Sequence, residues 1–333
     1  MNKKSKILVI RFSSIGDCIW VTPVLRCLKE QLNCELHFAT KKAYGELFEC
    51  NLHIDKLQFL DDKGLNNLIA RLQTENYDYI IDLHKNLRTL WLKMRLWGVK
   101  SFSYPKLTFQ KWQYVSLRKK NALPQNHVAD RYLQTVEPLG VKPDNKGLEL
   151  IIPERNVIPK DFFPVSHQNG FVGFVIGASY YTKRLPPEKL IEFCENIQKP
   201  VVLIGGKEDK EIANEIEIYF AEKRPNFILN LCGKLNIGQS ASVVSQAEYL
   251  YGHDTGLMHI AACFQKKIYA IFGGTTPELG LYPYQTPYEI IENKNLDCRP
   301  CSRLGKKACP KGHFNCMMTL TNEKIEKNMR GEF

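Results

Sequence analysis

The stretch KILVIRFSSIGD, residues 6–17, decides how the rest of the chain is read. It opens on a short apolar, branched run, the composition of a strand buried on both faces of a parallel sheet. SSIGD (13–17) is turn chemistry, and beyond it Val24, Leu25 and Leu28 recur at helical spacing. Strand, tight turn and amphipathic helix open a crossover unit. Moving outward, ELHFAT (35–40) and YDYIIDLH (77–84) read as further strands. Between roughly 140 and 170, LGVKPDNKG, IIPERNVIPKDFFPV and SHQNG concentrate Pro, Gly and Asn, which marks a domain junction. A second alternating series follows. Its strands are GFVGFVIGAS (170–179), PVVLIGG (200–206), FILNLCG (227–233), EYLYGHD (248–254) and KKIYAIFGG (266–274). Its helices are PPEKLIEFCENI (186–197), DKEIANEIEIYFAEK (209–223), 238–247 and 256–263. The expected class is α/β, with Rossmann-like parallel-sheet domains at 1–160 and 161–315 and a tail at 316–333. Open α/β sheets bind ligands outside the carboxyl ends of their strands, so two such domains facing a central cleft make that cleft the default site.

Composition narrows the function classes. The chain has 333 residues, 44% hydrophobic and 24% charged, which is globular. Lys and Arg number 46 against 35 Asp and Glu, a net charge of +11 that asks for an anionic partner. That partner could be nucleic acid, a membrane surface or a phosphorylated small molecule. No apolar run approaches the ~18 residues of a spanning helix. The N-terminus lacks a signal-peptide cleavage pattern, so the expected location is the cytoplasm. Neither GxxxxGK[ST] nor a GxGxxG after the first strand is present, against a P-loop NTPase or a standard dinucleotide oxidoreductase.

Instead, small and polar residues end several strands. Asp17, in SSIGD, reads either as a helix cap or as a general base. Gly177-Ala178-Ser179 through Lys183-Arg184 sets a hydroxyl and two cations where phosphate oxygens would be held, or forms a solvated helix-entry loop. Gly205-Gly206-Lys207-Glu208 offers a carboxylate suited to ribose hydroxyls, or a tight turn with a charged first helical turn. In His253-Asp254-Thr255-Gly256-Leu257-Met258-His259, a glycine opens a helix whose free N–H groups suit an anion. His259, on the same helix, reads as a ligand contact or as a satisfied, half-buried histidine. Phe272-Gly273-Gly274-Thr275-Thr276-Pro277 adds further donors. Together these describe a nucleotide-diphosphate cleft opposed by a carboxylate.

With SSIGD, SYYTKRLPPE, GGKEDKE, HDTGLMHIAA and FGGTTPELG in order along its whole length, the chain resembles glycosyltransferase family nine, the ADP-heptose:lipopolysaccharide heptosyltransferases. The resemblance implies a GT-B fold whose C-terminal helix, within 316–333, returns to the first domain. It implies an inverting transfer, needing no metal or cofactor, of a heptose from ADP-L-glycero-β-D-manno-heptose to the inner core of lipopolysaccharide or lipooligosaccharide. Asp17 matches the family's catalytic base. Ser179 and Lys183 match residues holding the donor diphosphate, and Glu208 the acid accepting from the adenosine ribose. Asp254 matches the residue facing the donor sugar, Thr255 and Gly256 offer donors to the phosphates, and His259 lies in the motif. Thr275 belongs to the same donor set. Where relatives often carry two hydroxyl residues, this chain has Ala178-Ser179, followed by Tyr180 and Tyr181, which leaves another nucleotide sugar open as donor.

From Lys85 to Ala129 there is no Asp or Glu but ten Lys and Arg, interleaved with Trp91, Trp97, Phe102, Tyr104, Phe109, Trp112 and Tyr114. This segment reads as a docking surface for an anionic inner-membrane face and a lipid A-core acceptor, with Lys85 and Arg88 as acceptor contacts. A basic nucleic-acid-associated α/β binding protein is the rival reading, although no nucleic-acid fold signature accompanies the charge. The expected partners are a nucleotide sugar and a lipid acceptor, without nucleic acid, for a monomer peripheral to the membrane. Seven of the eleven cysteines are scattered, as buried small hydrophobes would be. Cys298, Cys301, Cys309 and Cys316, with His313, are spaced as zinc ligands could be, or as free thiols or a disulfide.

Overall fold

Ile7, Leu8, Val9 and Ile10 are all fully buried, as a central parallel strand requires. In the computed structural model, which describes residues 4–329, they form most of β1 (Ser5–Ile10). Next come β2 (Cys34–Lys41), β3 (Lys56–Leu60), β4 (Tyr79–Asp82) and β5 (Lys100–Ser103). These strands pair in parallel in the order β3-β2-β1-β4-β5, with Ile7 opposite Leu36 on one side and Tyr79 on the other. The helix Thr22–Gln31 starts with Pro23 and buries Val24, Leu25 and Leu28. The same helix carries Arg26, 4% exposed, whose guanidinium grips Asp144 Oδ2 at 2.6 Å, Glu149 Oε2 at 2.8 Å and the Gly147 carbonyl at 2.8 Å. Those contacts fix the Pro- and Gly-rich return segment onto the first unit.

The second series folds as β6 (Val172–Val175), β7 (Val201–Ile204), β8 (Ile228–Asn230), β9 (Tyr249–His253), β10 (Lys267–Phe272) and β11 (Tyr288–Glu292). Their parallel order is β11-β10-β9-β6-β7-β8. Phe174, Phe193, Tyr251 and Tyr269 pack edge and face in the core.

Two features differ from the sequence reading. The chain divides near Arg155, but Thr108–Gln125 belongs with the second unit. The Tyr114 hydroxyl bonds Thr276 Oγ1 at 2.8 Å and Glu278 Oε2 at 3.2 Å, and Arg118 donates to the Pro300 carbonyl at 2.5 Å. The cationic run is therefore shared between the two units. The C-terminal helix Glu323–Met329, expected on the first domain, packs instead on the second. There Glu326 accepts from Tyr251 Oη at 2.7 Å, and Asn322 Nδ2 donates to the Phe193 carbonyl at 3.0 Å. Two tyrosine hydroxyls emerging from β9 into apolar surroundings need an acceptor, and Glu326 supplies it. The remainder of the expected tail, 330–333, lies outside the described residues.

Among the described residues, none of the eleven cysteines is joined in a disulfide. Among the described residues, no helix is long and apolar enough to cross a membrane.

Candidate active site

In the first unit, β1 delivers Arg11 and Phe12 to the carboxyl edge of the sheet, and Ser14 caps the helix Ile15–Ile19. Asp17 is the third residue of that helix, where the cap reading of it holds. Its Oδ2 caps, accepting from Ser14 N at 2.9 Å and Ser14 Oγ at 2.6 Å. Its Oδ1 meets Arg11 Nη2 at 2.5 Å and accepts weakly from Tyr132 Oη at 3.5 Å. The carboxylate remains 24% exposed, against 8% for the Arg11 side chain. Burial alone would raise the Asp17 pKa, but the Arg11 charge and the Ser14 hydrogen bonds more than offset it and hold it below 3.8. Arg11 is itself fixed by the Leu83 carbonyl at 2.6 Å and lies 5.7 Å from the centre of the Tyr132 ring. His84 sits edge-on to Phe12. Burial, reinforced by Arg11, pushes its pKa down to about 4, so the imidazole is neutral at pH 7.

Arg11, Tyr132 and His84 escaped the sequence reading. Arg11 left a signal, a cation on the end of the most buried strand; Tyr132 left none, because only the tertiary fold brings it to Asp17. Lys85 and Arg88 are both exposed, in the turn after β4 and the first turn of the helix Leu87–Arg95. Asp82 sets that turn, its Oδ1 accepting from His84 N at 3.1 Å and Lys85 N at 2.7 Å.

In the second unit the loops after β6, β9 and β10 converge on Asp254. Its Oδ2 meets Lys183 Nζ at 2.6 Å and accepts from Thr275 Oγ1 at 3.0 Å. The neighbouring pair joins the loops after β6 and β7, with Arg184 Nη1 3.2 Å from Asp209 Oδ1 and Arg184 Nε bonded to the Ala178 carbonyl at 2.6 Å. Gly177 is required here, since a Cβ on it would lie 2.1 Å from Asp209 Oδ2. Fully buried His253 accepts from Leu185 N through Nε2 at 2.9 Å. Burial, helped by Arg184, lowers its pKa to about 3, so it stays neutral and structural. Arg299, also missed by sequence, holds the loop after β10 by donating to the carbonyls of Phe272, Gly273 and Thr275 at 3.0, 2.6 and 3.1 Å.

Of the remaining expected donor residues, Ser179 and Glu208 are exposed on the loops after β6 and β7. Thr255 caps the helix Gly256–Cys263, and its buried Oγ1 has no hydrogen-bond partner among the described residues. His259 lies on that helix at 2% exposure. Tyr181 stacks on Phe314 with ring centres 4.8 Å apart, which fixes the loop carrying Lys183. The cysteine cluster brings Cys298 Sγ to 3.9 Å from His313 Nε2. Among the described residues, the grouping with metal-ligand spacing is a different one, Glu35, His37 and Glu75. Its carboxylates are occupied by Lys6, at 3.2 Å from Glu35 and 3.1 Å from Glu75, and by Lys56, at 2.5 Å from Glu75, so it is an ion-pair network.

Residues 65–311 fit the model of glycosyltransferase family 9 (heptosyltransferase). The chain belongs to glycosyltransferase family 9. It is therefore a transferase. It is 26% identical over 338 residues to lipooligosaccharide heptosyltransferase 2 of Campylobacter jejuni subsp. jejuni, with 98% of each chain covered. It is 23% identical over 360 residues to lipopolysaccharide heptosyltransferase 1 of Campylobacter coli, covering 98% of this chain and 99% of that one. Among solved structures it is similar to a family 9 glycosyltransferase of Veillonella parvula, with TM-score 0.78, 22% identity and coverage of 100% and 98%. It is likewise similar to the ADP-heptose lipopolysaccharide heptosyltransferase II of Escherichia coli, with TM-score 0.71, 16% identity and 98% of each chain covered. Those likenesses establish the fold, GT-B.

Proposed function

We propose that this family 9 enzyme transfers a heptose from ADP-L-glycero-β-D-manno-heptose to the inner core of lipooligosaccharide or lipopolysaccharide, with inversion. The observation that carries the reading is Asp17: a carboxylate on the sheet's carboxyl edge, held ionised by Arg11 and Ser14 yet still partly open to solvent. In this reading Asp17 takes the proton of the acceptor hydroxyl as it attacks the anomeric carbon. A carboxylate of low pKa is a weak base, so it works only late, when the bond to the leaving ADP is well broken and the hydroxyl has become acidic. The neighbouring Arg11 keeps Asp17 charged and aimed and, on the same reading, tempers the proton it receives.

The second unit would bear the leaving group. Negative charge growing on the diphosphate needs fixed donors. Lys183 supplies a cation, Ser179 and Thr255 hydroxyls, and Gly256 an N–H at a helix start. Asp254 holds Lys183 in place and faces the sugar, Thr275 orients Asp254, Glu208 accepts from the ribose, and His259 supports the helix from within. Lys85 and Arg88 are assigned to the anionic acceptor. The acceptor is a lipid, which places the reaction at the cytoplasmic face of the inner membrane.

Incubation with ADP-heptose and defined truncated core acceptors, read by product mass and anomeric configuration, tests the proposal. A single added heptose with inverted configuration is expected. No product from any core acceptor would overturn it, and a product formed only with another nucleotide sugar would move the donor assignment. Binding of ADP should be lost on Glu208→Ala or Lys183→Ala.

A further inference from the structure

The helix Leu87–Arg95 has its apolar side facing outward. Leu87, Leu90, Trp91 and Met94 are 83%, 51%, 44% and 57% exposed, and Trp97, just past the helix end, is 91% exposed. At 100° per residue the first four fall in an arc of about 100°, a continuous stripe, while Thr89 and Leu92 on the opposite side enter the core. A soluble domain rarely leaves so much contiguous apolar side chain to water without a use for it. Arg88 and Arg95 border one edge of the stripe, Lys85 and Lys100 are exposed at its two ends, and no acid occurs from residue 85 to 129. The Arg95 guanidinium lies 5.8 Å from the Trp91 ring, coupling charge to the apolar face.

We infer that this stripe inserts into the headgroup region of an anionic lipid bilayer and seats the first unit on it. Apolar side chains with a tryptophan at the tip, rimmed by cations, are complementary to an interface that is apolar below and negative above. Nine helical residues are far too short to span a bilayer, so the helix lies in the interface. The inference concerns a surface apart from Asp17 and the donor residues, and it stands or falls independently of the sugar transferred.

Flotation of the full-length protein with vesicles of equal parts phosphatidylcholine and phosphatidylglycerol tests it, alongside pure phosphatidylcholine vesicles. Wild type should float with the anionic vesicles and release at high salt. Tryptophan emission should shift to the blue and be quenched by brominated acyl chains, and Trp97→Phe should remove much of that signal. Leu87→Gln combined with Leu90→Gln, Met94→Gln and Trp97→Gln, all solvent-facing changes, should weaken vesicle binding by about tenfold or more. The same variant should retain the wild-type melting temperature and wild-type turnover of a water-soluble, delipidated acceptor. Three results would overturn the inference: absence of binding to anionic vesicles, undiminished binding by the fourfold variant, or a concentration-dependent wild-type dimer that the variant abolishes, which would make the stripe a contact between copies of this chain. Failure of transfer with every sugar donor would leave the vesicle result unchanged and so would be told apart.

Discussion

At the scale of single residues, Asp17 is balanced between two opposing influences. Burial raises its pKa, while Arg11 and Ser14 lower it and prevail. If Asp17 is the base, as proposed, the active form is the ionised one, so activity is full above the folded-state pKa and falls only as pH drops through it, below 3.8. The acid limb of kcat/KM should therefore lie below the ordinary carboxylate range; a limb near neutrality that vanishes in Asp17→Asn would contradict the assignment. Asp17→Asn should lower kcat by about 10²–10⁴ while ADP affinity stays within about twofold, as titration calorimetry would show. Arg11→Met leaves burial unopposed by its strongest partner. The acid limb should then move upward in pH, toward or beyond the normal Asp value, whereas a merely structural Arg11 would depress activity at every pH alike.

At the scale of elements, legibility followed burial. The strands β1, β4, β6, β7, β9 and β10 are apolar runs whose composition alone betrays them. The short edge strands β3, β5 and β11 carry Lys, Gln, Ser and Glu among their residues, so pairing rather than pattern defines them. The strand-end motifs were legible for the same reason: a turn that must be tight and polar leaves Gly, Asp and Thr in sequence. Ties between distant loops were not, because nothing local links Arg184 to Asp209 or Arg299 to three carbonyls at the end of β10. Gly177 makes this measurable. Alanine there would push its methyl into Asp209 and loosen the Arg184 pair, so Gly177→Ala should destabilise by roughly 1–3 kcal/mol in chemical denaturation and weaken ADP binding. The ion-pair network around Glu75 gives a second check. Its hydrogen bond from Lys56 outweighs burial and, with Lys6, lowers the Glu75 pKa from 4.5 to about 2. A depressed carboxylate stabilises above its unfolded pKa, and that gain is lost as pH falls from about 4.5 toward 2. Glu75→Gln should cost on the order of 1–2 kcal/mol near pH 7, with the difference from wild type shrinking across that acid window.

At the scale of the whole molecule, chain order and unit membership part company. Thr108–Gln125 precedes the junction yet belongs to the second unit. Sequence could not show this, since the segment's cations and aromatics suit a solvated surface as well as a tertiary contact. The Tyr114 hydroxyl, hydrogen-bonded with Thr276 and donating to Glu278, holds the loop just after β10, and Arg118 donates to the Pro300 and Cys298 carbonyls. That loop also carries Thr275, the partner of Asp254. Losing the Tyr114 hydroxyl should therefore act on the proposed donor side, although Tyr114 stands nearer in sequence to Lys85 and Arg88, the residues proposed to contact the acceptor. Tyr114→Phe strands one buried hydroxyl and should cost about 1–2 kcal/mol of stability. It should also weaken ADP affinity while leaving KM for the acceptor unchanged. If the segment belonged to the first unit, as its place in the chain implies, the substitution would move acceptor KM and spare ADP. Calorimetric titration of ADP beside acceptor kinetics on the one variant decides between them.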